Sequence, residues 1–381
     1  MKTNPLLKIG KLGQSVWVDF IQRGMIHSGE LQRLIEEDGI RGVTSNPSIF
    51  ENAIAGSHDY DSAIRSMALV NKSVEEIYTA LTVEDIQSAA DLFRPVYDRL
   101  DGADGYVSLE VSPKRAHDTT GMIAEVRRLW SEVNRPNVLI TVPGTKEGVP
   151  AIRQLIKEGY NINITLLFGL SRYREVAEAY VSALEERAAR GLDISTVASV
   201  ASFFLSRIDA MIDPMLEEEM RIDSPDVAVA AGLEGRAAIA SAKLAYQIYT
   251  EIFSGERFHE LVQKGARTQR LLWTSTGTNN PAYSDVRYVE PIIGRDTVNA
   301  LSAETLHAYR DHGDPHDTLT LGIDEAHASI EHLVHMGFSF ERITQRLEDQ
   351  GVKKFIEAFD GLMNSLKQKR ETSLAESVAQ H

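Results

Sequence analysis

Residues 135–148 read RPNVLITVPGTKEG. The β-branched apolar run NVLITV stops at Pro143 and Gly144 and gives way to a polar loop with one lysine, Lys146; EGVPAIRQLIKEG then has helical period and a closing glycine. Strand, loop and helix follow in that order. The alternation recurs in both directions along the chain: SVWVDF (15–20), GVTSNP (42–47), YVSLEV (106–111), NVLITV (137–142), NINITLLF (161–168), ASVASFF (198–204), RLLWTST (270–276) and RYVEPII (287–293) read as strands. Between them lie helical segments such as DTTGMIAEVRRLWSEVN, SRYREVAEAYVSALEERAARG and AAIASAKLAYQIYTEIF. Eight such units predict an α/β fold, a (β/α)8 TIM barrel.

A barrel of this kind takes roughly 250 residues, and the chain has 381. The surplus is assigned to extra helices inserted after strand two, about 48–105, and to a helical C-terminal extension, about 300–370, followed by a polar tail, 371–381, expected to fray. Thr82 and Asp85 resemble a capping pair before IQSAADLF. No internal repeat, low-complexity run or linker interrupts residues 1–381, which are expected to form a single domain. A doubly wound open sheet is the rival fold. It calls for a glycine-rich turn after the first strand, which DFIQRGMIHSG does not supply.

The charge balance, 40 Lys and Arg against 55 Asp and Glu, gives a net charge of −15. Such a surface disfavours nucleic acid and anionic membranes, which need clustered cations; an anionic substrate would need a local positive pocket. No cysteine is present, which removes disulfides, thiolate nucleophiles and Cys-based zinc sites. MKTNPLLKIGKLGQ lacks the apolar core of a secretory signal, and no apolar run approaches the ~18 residues of a membrane span. The expected location is the cytoplasm.

A barrel carries its chemistry at the carboxyl ends of its strands. Here Asp19 ends strand one, Asn46 ends strand two and Glu110 lies late in strand three. Asn163 and Thr165 interrupt strand five, Ser202 interrupts strand six, and Ser275 and Thr276 end strand seven. One such residue reads as a satisfied buried polar group. This many, all needing partners, read as one pocket. Two carboxylates suit general acid and base work. Arg207, at the start of the helix after strand six, suits a phosphate, the alternative being an ion pair with Asp209 or a neighbouring acid.

The stretches GVTSNPSIFENAI, VSLEVSP, RPNVLITVPGTKEGVPAI, INITLLFGLSRYREVAEAY, ASVASFFLSRID, LLWTSTGTNNPAYSD and YVEPIIGRDTVNAL occur in order across roughly residues 12 to 300. Together they make the chain similar to transaldolase, in the longer form found in many bacteria. The resemblance implies a barrel enzyme of the pentose phosphate pathway that moves a dihydroxyacetone unit from a ketose phosphate to an aldose phosphate without metal or organic cofactor. Its chemistry runs through a lysine Schiff base. Carried over by motif, Asp19 is the acid/base on the sugar hydroxyl, and Glu110 and Thr165 position a proton-shuttling water. Asn46 and Asn163 hydrogen-bond the dihydroxyacetone hydroxyls; Ser202 and Arg207 hold the phosphate. Trp273 and Ser275 fall near the pocket without an assigned part. Sugar phosphates are the expected partners, and the oligomeric state is left open.

One position departs from the family. Its Schiff-base lysine lies in strand four in a segment of the form NLxIKIPAT, and NVLITVPGT aligned without a gap puts Thr141 there. A hydroxyl forms no imine. Lys146 lies five residues further on, and at about 3.3 Å per strand residue its anchor is remote from the required one. Three explanations stand: a single substitution in an intact enzyme, a relative that binds sugar phosphates without catalysis, or a divergent enzyme needing no imine. The intact neighbouring motifs favour the first.

Two histidine clusters, YRDHGDPHD (309–317) and His327, Glu331 and His335 at helical spacing, read as a surface turn and a solvated stripe rather than metal ligands. GTKEG lacks the GK[ST] ending of a phosphate-binding loop, so no nucleotide is assigned to it.

Overall fold

The computed structural model describes residues 4–221, 227–278 and 280–379. Eight strands, β1 (Gln14–Val18), β2 (Gly42–Val43), β3 (Tyr106–Glu110), β4 (Val138–Pro143), β5 (Ile162–Leu167), β6 (Ser199–Phe204), β7 (Arg270–Thr274) and β8 (Thr297–Leu301), pair in parallel with their neighbours in sequence. β8 returns to β1 through Gln14↔Thr297 to Val18↔Leu301, so the barrel closes and no edge is left unpaired. No helix among the described residues is long and apolar enough to cross a membrane.

Residues two apart on a strand share a face. One set, Trp17, Tyr106, Leu139, Val200, Leu272, Val298 and Ala300, packs as a cluster of its own inside the barrel. The alternate set, including Val16, Val107, Ile140, Ile164, Leu271 and Trp273, belongs to the larger core shared with the helices. Burial of each such large side chain contributes roughly 1.5–3 kcal/mol. Two residues beyond the inner apolar layer, in the same phase, come Asp19, Ser108, Thr141 and Ser202. The polar layer therefore stands on an apolar floor.

Three helices, Pro47–Ala55, Asp61–Leu69 and Val74–Arg99, occupy the stretch between β2 and β3. The last begins at a capping box in which Ser73 and Glu76 each accept from the other's backbone N–H. Thr82 and Asp85 are therefore not a cap: both are buried inside that helix, where Thr82 returns its hydroxyl to the Tyr78 and Thr79 carbonyls and Asp85 accepts from Arg23 and Tyr60.

Three further expectations are corrected. RYVEPII is no strand: Pro291 has no N–H to give a ladder, Glu290–Ile292 forms a 3-10 turn, and the eighth strand is TVNAL. β2 is two residues long, and Asn46 caps the helix that follows it instead of ending the strand. The polar tail is helical as far as Ala379, as the end of the helix Phe340–Ala379, which is held just before the tail by Arg370 Nε donating to the Lys72 carbonyl and by Lys369 pairing with Asp61; Gln380 and His381 lie outside the described residues.

That long helix packs on the helices after β2 and β6 and on β5 itself. A Cβ at Gly351 would lie 2.7 Å from Leu166 Cδ2, so the helix backbone rests on the end of β5. There Leu166 has φ 61° and the β5–β6 register shifts between Ile164 and Leu167. The C-terminal helix thus lies across the carboxyl end of the barrel.

Candidate active site

Strand register sets the centre of the site. Glu110 pairs with Thr141, Thr141 with Asn163 and Pro143 with Thr165 across β3, β4 and β5. Asn163 is the hub: its amide donates to Ser108 Oγ and Thr141 Oγ1, each at 3.3 Å, and its oxygen accepts from Ser202 Oγ at 2.7 Å. Thr141, Asn163 and Ser202 are 2%, 3% and 4% exposed, which places this web beneath the open mouth. Thr165, on the same face two residues beyond Asn163, is also buried.

Two carboxyls face the web from above. Asp19 follows the last residue of β1 and accepts from Thr44 Oγ1 at 2.6 Å. Burial raises its pKa, opposed by the Thr44 hydrogen bond and the charge of Arg207. Glu110, the last residue of β3, is buried with Oε2 lacking a hydrogen-bond partner; burial first and the charge of Asp19 second push its pKa well above the usual carboxyl range. A pair of carboxyls whose pKa values are raised in this way suits general acid and base work.

Above them opens a cavity of about 630 Å³ lined by Asp19, Ser206, Arg207, Ser275, Ser302 and Lys354, among others. Arg207 is the second residue of the helix Ser206–Arg221 and rests 5.4 Å from the centre of the Phe204 ring. It does not pair with Asp209, which accepts instead from Ala238 N at 2.8 Å and Tyr288 Oη at 2.9 Å. Burial works against the guanidinium charge and Asp19 supports it. Asn46 sits apart from the web, its side-chain oxygen accepting from Ile49 N at 3.1 Å as the cap of Pro47–Ala55. Ser275 reaches the cavity with φ 53°, whereas Trp273 is fully buried among the helices against Phe203.

Sequence reading missed Thr44, Ser108 and Lys354. Ser108 lies in the inward phase of β3 and Thr44 follows β2 in the phase of Gly42, so period two could have found them. Lys354 carries no local signal, because it arrives from the C-terminal helix. Lys146 stands exposed in the turn before the helix Gly148–Glu158. Among the described residues no three His, Cys, Asp or Glu side chains gather as a metal site: His312 bridges Asp285 and Asp311, and His327 pairs with Gln247.

Residues 16–366 match the model of the Transaldolase/Fructose-6-phosphate aldolase family. The chain belongs to that family. A "Transaldolase" of Trichodesmium erythraeum is 47% identical over 374 residues, covering 97% of this chain and 98% of that protein. A "Transaldolase" of Thiobacillus denitrificans is 46% identical over 355 residues, covering 93% and 97% respectively. "Transaldolase 1" of Streptomyces coelicolor is 43% identical over 359 residues, covering 94% and 93%. The family relation spans the barrel and most of the C-terminal helix, so this is an enzyme scaffold of the transaldolase kind.

Proposed function

We propose that the chain is a transaldolase-type transferase for ketose and aldose phosphates of the pentose phosphate pathway, working in the cytoplasm, in which Thr141 blocks the imine step. The observation that carries this reading is the register Glu110–Thr141–Asn163 beneath Asp19 within a family member.

With an amine at position 141, nitrogen adds to the ketose carbonyl and water leaves, giving an iminium. Asp19 then takes the proton of the β-hydroxyl, two carbons from the iminium carbon, as the bond between the α and β carbons breaks and the β-carbon departs as the carbonyl of an aldose phosphate. The electron pair flows into the iminium, and the dihydroxyacetone unit stays as an enamine until an aldose phosphate accepts it. Glu110 and Thr165 hold the water that carries protons between these steps. Asn163, with Asn46 at the rim, meets the dihydroxyacetone hydroxyls, and Ser202 and Arg207 the phosphate end. Threonine offers only a hydroxyl, so the chain as it stands binds the sugar phosphate without cleaving it. A non-catalytic sugar-phosphate-binding relative is the second reading, favoured by the same threonine.

The test is Thr141→Lys with fructose 6-phosphate and borohydride, read by intact mass. The expected result is a covalent dihydroxyacetone adduct in the variant and none in the parent chain; a folded variant without adduct overturns the reading. An adduct in the parent chain that disappears in Lys354→Ala would move the amine to the C-terminal helix and equally sink the assignment of position 141.

A further inference from the structure

The amino-terminal end of the barrel holds a second polar cavity, of about 290 Å³, on the far side of the inner apolar layer from Asp19. Tyr106, Leu139 and Val200, members of that layer, form its ceiling. Its walls carry three arginines from three places in the chain: Arg41 before β2, Arg267 before β7 and Arg270 at the start of β7. Arg270 lies two residues before Leu272, in the inward phase, so the strand directs it to the barrel axis.

The local carboxylates pair with two of these cations, the buried Asp104 with Arg270 and the exposed Asp101 loosely with Arg267, and leave Arg41 without an acidic partner among the described residues. Asp104 is buried and already held by the Ser15 hydroxyl, by Trp17 Nε1 at 2.8 Å and by Arg270 Nη1 at 3.3 Å. Arg267 binds the Asp101 carbonyl and reaches that residue's fully exposed carboxylate only at 3.8 Å. Asp296 is exposed at the rim. Arg41 makes no ion pair or side-chain hydrogen bond among the described residues. Thr268, also in the wall, accepts from Tyr249 Oη at 2.9 Å and keeps its own proton to donate.

We propose that this cavity is a second oxyanion site, taking a phosphate dianion, free or on a small ester, between Arg41, Arg267 and Arg270. Guanidinium forks match phosphate oxygens in pairs, and a recess roofed by apolar side chains screens the charges less than open water does. A chain with a net charge of −15 gains such a site only by gathering cations locally, as these three strand-end positions do. The bound anion ties β2 to β7 across the amino-terminal end of the barrel and so stabilises the closed ring.

Isothermal titration with inorganic phosphate at constant ionic strength, paired with thermal melting, tests this independently of the carboxyl-end site. The parent chain is expected to take two equivalents; Arg207→Ala and Arg41→Ala each leave one, and Arg41→Ala with Arg267→Ala weakens the amino-end site at least tenfold. Asp296→Asn, which removes the rim charge, should tighten it several-fold. One equivalent lost in Arg41→Ala but kept in Arg207→Ala supports this site while counting against the phosphate role of Arg207. Wild-type stoichiometry and melting response in the Arg41 and Arg267 variants, or loss of all binding in Arg207→Ala, overturns the proposal. Glycerol 3-phosphate as a second titrant distinguishes a free phosphate from an ester by which binds more tightly.

Discussion

Thr141 is satisfied where it stands, and that satisfaction is what ties it to the site. Its hydroxyl accepts from Asn163, whose oxygen holds Ser202, so one amide links β4, β5 and β6. Two carboxyls have pKa values raised by burial: Glu110, beside this web, and Asp209, held by Ala238 and Tyr288 on the helix that carries Arg207, which burial pushes up to about 7. A carboxyl with a raised folded-state pKa contributes stability that is complete below its unfolded value and is lost as pH rises through the folded one. For Asp209 the window runs from 3.8 to about 7. Three pH units at 1.36 kcal/mol each bound the loss at about 4 kcal/mol. Melting temperature followed across pH 4 to 8 should therefore fall less steeply in Asp209→Asn than in the parent, and Glu110→Gln should flatten the same curve above that residue's ordinary value of 4.5. A variant curve parallel to the parent's would clear that residue of any part in the pH dependence.

At the scale of elements, β2 is the thinnest part of the ring, and one glycine makes it fit. A Cβ on Gly42 would lie 2.4 Å from Trp17 Cδ2 and 2.8 Å from the Tyr106 carbonyl, so ring and neighbouring strand both occupy the space a side chain would need. Gly42→Ala is expected to destabilise the protein by ~1–3 kcal/mol through this overpacking, measured as a lower denaturation midpoint in urea. An unchanged midpoint would mean that Trp17 turns aside at no cost. Strands β3 to β7 were legible because each is a continuous β-branched or apolar run bounded by turn residues. β8 was not, because TVNAL is short and carries Asn299, while the more apolar YVEPII nearby is broken by Pro291. The Thr82–Asp85 misreading has a similar origin: a cap-like spacing also occurs inside a helix, and only the partners Arg23 and Tyr60 show what Asp85 answers to.

For the molecule as a whole, the helix Phe340–Ala379 matters most. Its residues Phe355, Leu362 and Leu366 are buried in the main core, and its Lys354 lines the carboxyl-end cavity. Deleting residues 340–381 should uncover that apolar face and one wall of the mouth. We expect the shortened chain to bind a hydrophobic dye strongly and to lose ketose phosphate binding by at least tenfold. Retention of parent affinity would show that the helix covers the site without shaping it.

The amino-acid sequence by itself determined the alternation of strand and helix, hence the barrel, and the polar positions near strand ends; its motifs determined the family. These are local properties, written in periods of two and 3.6 residues and in short runs that stay recognisable without their neighbours. Only the tertiary structure decided which polar side chains meet, how far Glu110 and Asp209 are lifted, that Lys354 reaches the mouth, and that three arginines surround one recess at the opposite end. Those outcomes depend on burial and on fields between residues far apart in sequence, and both come into being when β8 closes on β1.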